Sequence, residues 1–187
     1  MDNRRALLDA AKRLVAAKGV KATTTAEIAA AAGVAKGLLF YYFKDKESVV
    51  RAIAEELDAL YMAGLPPAPM PAASGCALKT LHALIVHHFR FLEDTPQNAQ
   101  FLYQSVGACE PAAGFYEHLH ARVLEILRCG ARNGEFVALD MEELAYMLLG
   151  SLHGVGRLKL FEFKREYDAA RHLAAFYDKI LLRQNIA

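Results

Sequence analysis

Apolar residues recur every three to four positions along most of the chain, and no segment alternates apolar and polar residues for long. That spacing is typical of amphipathic α-helices, whereas strict alternation would indicate β-strands. Alanine, leucine and charged residues, which favour helices, also dominate the sequence. The pattern therefore predicts an all-α protein.

Four predicted helices precede a proline-rich segment, and they cover about residues 3–18, 26–32, 36–42 and 46–62. The first is expected to end at Gly19, because glycine readily takes the left-handed conformation that follows a helix. Thr24 or Thr25 is expected to cap the second helix, and Asp45 the fourth. Together these helices predict one compact N-terminal unit.

The proline-rich segment, residues 64–75, contains four of the six prolines and cannot form continuous helix. Beyond it, five further helices are predicted at about residues 76–93, 96–107, 111–132, 140–163 and 167–183. We place the domain boundary just after the third helix. The N-terminal domain then comprises residues 1–46 and the C-terminal domain residues 47–187, with the fourth helix connecting the two.

Composition excludes several classes of protein. The 187 residues are 55% hydrophobic and carry a net charge of +1, which excludes a disordered chain. Three widely spaced cysteines support neither a disulfide framework nor a zinc finger. Charged residues interrupt the first apolar stretch, so it does not resemble a signal peptide, and no apolar run approaches the roughly 18 residues of a membrane span. We therefore expect a cytoplasmic protein with no membrane partner.

The charge is distributed unevenly along the chain. Residues 1–46 contain nine basic and four acidic side chains, a net charge of +5, whereas residues 47–187 contain 13 and 17, a net charge of −4. Asymmetry of this kind is typical of a polyanion-binding segment joined to a body that does not bind polyanions. The N-terminal segment is therefore the candidate for nucleic-acid binding.

Residues 25–42 have the dimensions of a helix-turn-helix, in which the second helix enters the major groove of DNA. In that second helix, Leu39 and the following Phe43 are expected to face the core. The remaining side chains include Lys36 and three neighbouring aromatic residues, an unusual surface for a solvated helix. A groove lined by thymine methyl groups and phosphates is a suitable partner for them.

The segment TTTAEIAAAAGVAKGLLFYYFKDKESVV resembles the DNA-binding signature of the TetR family of transcriptional regulators. The similarity covers about residues 4–60. Its elements are a threonine pair, an Ile-Ala step, an Ala-Gly-Val turn, a glycine early in the second helix, an aromatic run ending in Tyr-Phe, and Lys-x-Lys-Glu. The resemblance implies an all-helical homodimer with an N-terminal three-helix DNA-binding domain. It also implies a C-terminal helical domain that binds a ligand and dimerises through its last two long helices.

Three positions depart from the family pattern, because Ala35, Leu38 and Phe40 replace residues that often carry a hydroxyl group. Each replacement removes a group that could reach a phosphate. Phosphate contacts then fall to the threonine pair, Tyr42 and Lys46, while Lys36 suits guanine or phosphate. The predicted DNA-binding residues are Thr24, Thr25, Lys36, Gly37, Leu38, Tyr41, Tyr42 and Lys46.

Lys46 also has a physical argument of its own. A cation in the first turn of a helix is disfavoured by roughly 0.3–1 kcal/mol, whereas a phosphate at that position is favoured. A bound phosphate would explain the lysine, and a solvated lysine is the alternative. We expect Lys46→Ala to weaken binding to all sequences alike and to reduce the salt dependence by about one unit, and Lys36→Ala to alter sequence preference.

The last two predicted helices each carry an apolar stripe, and the first of them adds small residues at Gly150, Ser151 and Gly154. Pairing of these helices with their symmetry mates would form a four-helix dimer interface. The alternative is that both stripes face only the core of the single chain. The predicted interface residues are Leu148, Leu152, Val155, Phe176 and Ile180.

The resemblance places an effector within residues 76–132, which are rich in aromatic and single polar residues. Ligand pockets combine an apolar lining with a few polar groups, and four residues are candidates for that role: His87, Tyr103, Gln104 and His118. Each of them is also an ordinary core or boundary residue. The expected effector is an unidentified, largely apolar small molecule.

No metal, cofactor or catalytic site is predicted. The histidines at 87–88 and 118–120 lack the i, i+4 spacing that places two ligands on one helix face. Cys109 has no identifiable base, and no hydrolase, zinc-protease or phosphate-loop motif is present. The sequence therefore predicts a non-enzymatic, ligand-responsive repressor that binds a pseudo-palindromic operator in double-stranded DNA as a dimer. The alternative is a helical small-molecule-binding protein or enzyme with a vestigial helix-turn-helix.

Overall fold

The computed structural model describes residues 2–69, 75–105, 111–162 and 167–182, without the side chains of residues 111–113. Within these ranges the chain is helical and contains no strand, which confirms the predicted all-α class. The helices are α1 (Asn3–Ala22), α2 (Thr25–Ala31), α3 (Lys36–Tyr42), α4 (Lys46–Ala63), α5 (Cys76–Asp94), α6 (Pro96–Ser105), α7 (Pro111–Arg132), α8 (Met141–Arg157) and α9 (Ala169–Leu181). A π-helical turn, Leu158–Glu162, continues α8.

The predicted end of the first helix coincides with a break inside α1. Gly19 has φ 82° and ψ 165°, and the chain then resumes helical turns as far as Ala22. Glycine takes this conformation without the steric cost that a side chain would add. A side chain there would also crowd its neighbour, because an added Cβ would lie 3.3 Å from the Oε1 atom of Gln104.

The contacts within the chain divide it into two compact units. Unit 1 comprises Met1–Tyr61 and Thr95–Phe115, and unit 2 comprises Met62–Asp94 and Tyr116–Ala187. Unit 1 therefore contains the first three helices, most of α4, and α6, which packs along α1. Its core consists of apolar side chains with little or no exposure: Leu7, Ala11, Val15, Ile28, Leu39, Val49, Ile53, Leu57 and Phe101. The predicted domain boundary after residue 46 stays a prediction.

Unit 2 contains α5, α8, α9 and most of α7, and α5 contacts both α8 and α9. Its core includes Leu81, Leu84, Ile85, Leu119, Ile126, Leu148, Leu152 and Tyr177. The loop after α7 holds this unit together at two points. The Glu135 carboxylate accepts hydrogen bonds from the backbone amides of Ala77 and Leu78, at 3.1 and 3.2 Å, and so caps α5. The Phe136 ring lies where a side chain at Gly130 would be.

Among the described residues, no helix has both the length and the apolar composition needed to cross a membrane.

Candidate nucleic-acid interface

A reciprocal cap fixes the start of α2. The Thr24 hydroxyl accepts a hydrogen bond from the Glu27 amide at 3.3 Å, and the Glu27 carboxylate accepts one from the Thr24 amide at 2.9 Å. Lys18 donates to the other carboxylate oxygen at 2.6 Å. Hydrogen bonds from Lys18 and Thr24, with that of Lys18 the larger cause, lower the pKa of Glu27 to about 2. Thr24, rather than Thr25, is therefore the cap, and the end of α1 is tied to the first turn of α2.

The turn after α2 depends on glycine. Gly33 has φ 69°, and its amide donates to the Ala30 carbonyl at 3.1 Å. The Val34 amide donates to the Ala29 carbonyl at 3.0 Å. This pair of hydrogen bonds, with a left-handed glycine just after the helix, is a common way to end a helix sharply. It separates α2 from α3 by a short turn, as in a helix-turn-helix.

Helix α3 is held by one side chain and exposes most of the others. Leu39 is fully buried and Phe43 nearly so, which confirms the predicted inner face. Tyr41 is 79% exposed, and its ring meets the Tyr42 ring edge to face with centroids 5.0 Å apart. The Lys36 ammonium lies 5.8 Å from the Phe40 ring centroid, within the range of a cation–π contact. A contiguous exposed patch of this kind marks an interaction surface.

Gly37 lies on this surface without a structural need for glycine. An added Cβ there would meet no atom within 4 Å, and its backbone is not in the left-handed region. Neither packing nor backbone conformation therefore requires a glycine. Glycine also serves where a partner must approach the backbone closely. That use fits its place between Lys36 and Leu38 on α3.

Lys46 makes contacts that its sequence position does not suggest. Its ammonium donates to the backbone carbonyls of Val20, at 2.9 Å, and of Thr23, at 3.0 Å. The positive charge therefore lies beside the carbonyl end of α1, where the helix dipole favours a cation. These carbonyls give the lysine a third explanation, beside the bound phosphate and the solvated side chain expected from the sequence. The predicted phosphate contact itself stays a prediction.

All the predicted DNA-binding residues belong to unit 1, at the start of α2, on α3 and at the start of α4. Sequence reasoning left out Phe40, although the structure exposes nearly half of its side chain beside Lys36. The i, i+4 spacing of these two residues was the available signal, since it places them on the same face of a helix. Ala35 precedes α3 and makes no side-chain hydrogen bond to it.

The four predicted effector-binding residues are divided between the units. Tyr103 and Gln104 lie on α6 in unit 1, and Gln104 lies close to Gly19. His87 and His118 lie in unit 2, where the His87 ring occupies the space that a side chain at Gly64 would need and His118 is exposed. Their role in ligand binding stays a prediction.

A groove of about 740 Å³ lies between α5 and α9, and none of the four residues predicted to bind an effector lines it. Val86 and Phe89 contribute apolar side chains to its lining, and Arg90 and Arg171 contribute charged ones. The groove is therefore separate from the residues that the sequence singled out for an effector.

Sequence reasoning missed a set of buried and half-buried polar side chains in unit 2. His88 on α5 is 4% exposed, and its burial, together with the charges of His87 and His153, lowers its pKa to about 4 despite a hydrogen bond with the backbone of Leu152. The Tyr116 hydroxyl lies 2.6 Å from the His153 Nδ1 atom. Burial raises the pKa of Tyr116 and lowers that of His153. The available signal for His88 was its place in the apolar stripe of α5.

The described part of the chain shows no group of three histidine, cysteine or acidic side chains arranged to hold a metal ion. Cys109 lies outside the described residues.

The predicted dimer residues separate into two groups. Leu148 and Leu152 are fully buried in the core of the single chain, so these two assignments are corrected. Val155 and Ile180 are half-buried, whereas Phe176 is 53% exposed. The exposed apolar residues of α8 and its π-helical extension are instead Tyr146, Met147 and Leu158. The stripe read from the sequence corresponds to the core face of α8, because that face is the more continuously apolar one.

The capped α2, the glycine turn and the exposed α3 define a helix-turn-helix protein of the kind that places its second helix in the major groove. Comparisons with known proteins specify the class. Residues 7–53 match the family described as "Bacterial regulatory proteins, tetR family". The "HTH-type transcriptional repressor KstR2" of Rhodococcus jostii is 30% identical over 155 residues, which span 76% of this chain and 72% of that protein. The chain therefore belongs to the TetR family of transcriptional regulators.

Other similarities are partial or structural. The "HTH-type transcriptional regulator AcrR" of Shigella flexneri is 33% identical over 98 residues, which span 49% of this chain and 46% of that relative. The chain thus spans about half the length of that curated relative. The structure of SmeT, the repressor of the Stenotrophomonas maltophilia multidrug efflux pump SmeDEF, superimposes with a TM-score of 0.77 over 98% of this chain and 92% of SmeT. Its 24% identity supports a shared fold.

Proposed function

We propose that the protein is a ligand-responsive transcriptional repressor. It binds a pseudo-palindromic operator in double-stranded DNA as a homodimer, and a small-molecule effector releases it. The observation that carries the proposal is α3, which exposes Lys36 and three aromatic rings while Leu39 and the adjacent Phe43 are buried. The proposal assigns the protein no enzymatic activity and no cofactor, and it places the protein in the cytoplasm.

In this proposal α3 lies in the major groove. Lys36 contacts guanine or a phosphate, Leu38 and Tyr41 contact apolar base edges such as the thymine methyl group, and Gly37 lets the backbone approach the DNA. The threonine pair at the start of α2 and Tyr42 contact phosphates and set the register. Because polar groups are few on this surface, affinity depends strongly on how well the two α3 helices, one from each copy of the chain, fit one face of the DNA. Their half-sites are then about 34–36 Å apart, or a multiple of that distance.

A second copy of the chain is the proposed occupant of the exposed apolar face of α8 and α9. Met147 is 58% exposed and Phe176 is 53% exposed, and both would be covered in a dimer. An added Cβ at Gly150 or Gly154 would meet no atom within 4 Å, so the backbone there is open to a close neighbour. Paired half-sites in an operator require such a two-fold assembly.

Unit 2 supports an effector that is largely apolar and uncharged. Three buried or half-buried polar side chains of α5, α7 and α8 are kept neutral, since burial lowers the pKa of His88 and His153 and raises that of Tyr116. Polar side chains that stay neutral favour a neutral ligand beside them, because a charged ligand would lose its hydration without a counter-charge. A solved complex of the structurally similar SmeT contains triclosan.

Effector binding within residues 76–132 is proposed to shift α4 and so change the separation of the two α3 helices. DNA affinity would then fall by the ratio of the effector's affinities for the two states. A bound ligand that leaves DNA affinity unchanged would contradict this coupling.

Fluorescence anisotropy with duplexes from the gene's own upstream DNA tests the function. We expect salt-sensitive binding to one duplex, competed poorly by a scrambled duplex of equal length, and Tyr41→Ala should weaken it while leaving the fold unchanged by circular dichroism. Substrate turnover without any DNA binding would instead support the enzyme alternative.

A further inference from the structure

Several hydrogen bonds fix the junction between α1 and α2 in unit 1. After the break at Gly19, the Thr23 hydroxyl donates to the Gly19 carbonyl at 2.9 Å in a buried hydrogen bond. The Thr23 amide donates to the Val20 carbonyl at 3.3 Å. The next residue, Thr24, is the cap of α2. A displacement of this junction would therefore move the start of α2 directly.

Lys46 is the residue that joins this junction to α4. Its ammonium donates to the carbonyls of Val20 and Thr23, which are 26 and 23 residues away in sequence. The last carbonyls of a helix have no partner within the helix, and they carry its partial negative charge. An ammonium has three N–H donors, and two of them are committed here. At most one remains for a phosphate.

We propose that Lys46 is a positioning residue that sets the helix-turn-helix against α4. Its contribution to DNA recognition comes from its hydrogen bonds to the Val20 and Thr23 carbonyls, which we call the clip. This inference rests on the proposed DNA-binding function. It differs from a phosphate contact in what it predicts: loss of the ammonium loosens the junction in the free protein, and it weakens the selected operator more than random DNA.

Lys46→Met tests the clip, because methionine keeps an unbranched side chain of similar length without donors or charge. Lys46→Arg restores charge and donors, and Lys44→Met is the matched control, since it removes an equal charge from an exposed residue two positions away. Amide hydrogen exchange of residues 23–28, measured without DNA, should accelerate in Lys46→Met. It should remain as in the wild type in Lys44→Met and recover in Lys46→Arg. Equal exchange in the wild type and Lys46→Met would overturn the proposal.

The DNA measurement uses a duplex selected by the wild-type protein from a random library, with a random duplex beside it. Lys46→Met should lose about tenfold or more in affinity for the selected duplex, because the loosened junction must be ordered when the duplex binds, with an unchanged salt slope and unchanged binding to random DNA. A slope reduced by about one, with equal losses on both duplexes, would show a direct phosphate contact and overturn the proposal. Faster exchange with unchanged affinity would also overturn it. Failure of the wild type to select any duplex would refute the proposed function, while the exchange measurement would still decide whether the clip exists.

Discussion

Acidification is expected to destabilise unit 2 through His88. The side chain is 4% exposed, and burial is the main cause that lowers its pKa from 6.5 to about 4. In the unfolded chain the imidazole binds a proton near pH 6.5, whereas in the folded protein it stays neutral until about pH 4. Between these values the unfolded state binds more protons, so the free energy of unfolding falls as the pH falls. Above about pH 6.5 this contribution to stability is fully present.

The size of the effect follows from the width of this window. A difference of one pKa unit corresponds to about 1.4 kcal/mol, so the shift of His88 corresponds to a loss of about 3 kcal/mol by pH 4. His153, whose pKa is also lowered by burial, acts in the same direction. A loss of this size is a large part of the stability of an ordinary domain, which is about 5–15 kcal/mol.

Urea unfolding followed by circular dichroism at several pH values between 7 and about 4.5 measures this loss. His88→Gln keeps a side-chain N–H donor near the Leu152 carbonyl and cannot titrate, so its free energy of unfolding should fall less steeply with acid than that of the wild type. His172→Gln is the matched control, because His172 is exposed, and it should follow the wild type. If the wild type and His88→Gln lose stability in parallel across this window, the explanation by a buried neutral histidine is wrong.

Three further predictions concern the DNA surface, the cap of α5 and the dimer. Gly37→Ala should raise the free energy of unfolding by about 0.5–1 kcal/mol, because alanine favours helix, and should weaken DNA binding, because its methyl group blocks the approach of DNA to the backbone. Urea unfolding measures the first effect and fluorescence anisotropy the second. Tighter DNA binding would contradict the assignment. Glu135→Ala should lower the free energy of unfolding by about 1 kcal/mol, because two amides of α5 lose their acceptor; an unchanged urea midpoint would refute the role of the cap. Phe176→Asp should shift the protein to monomers in sedimentation velocity with its helical content retained, and a persistent dimer would exclude α9 from the interface.

Helix positions and caps were largely predictable because they depend on neighbours along the chain. The bounds of α3 and α7 agree with those predicted from the sequence. Thr24 caps α2 through a residue three positions away, and Gly33 ends it through hydrogen bonds to the preceding turn. The division of α3 into a buried Leu39 and an exposed aromatic surface also follows from helical spacing alone.

The partners of individual side chains depended on the tertiary structure. The sequence alone determined that this protein is helical, where most helices begin and end, and which helix presents the aromatic surface, because local spacing and capping carry that information. Only the tertiary structure decided that Lys46 binds the end of α1, that Glu135 caps α5, and that Leu148 packs inside the chain while Met147 is exposed. These contacts join residues far apart in sequence, or select one of two apolar faces on a helix. Periodicity shows that an apolar face exists, but only the packed chain determines which surface covers it.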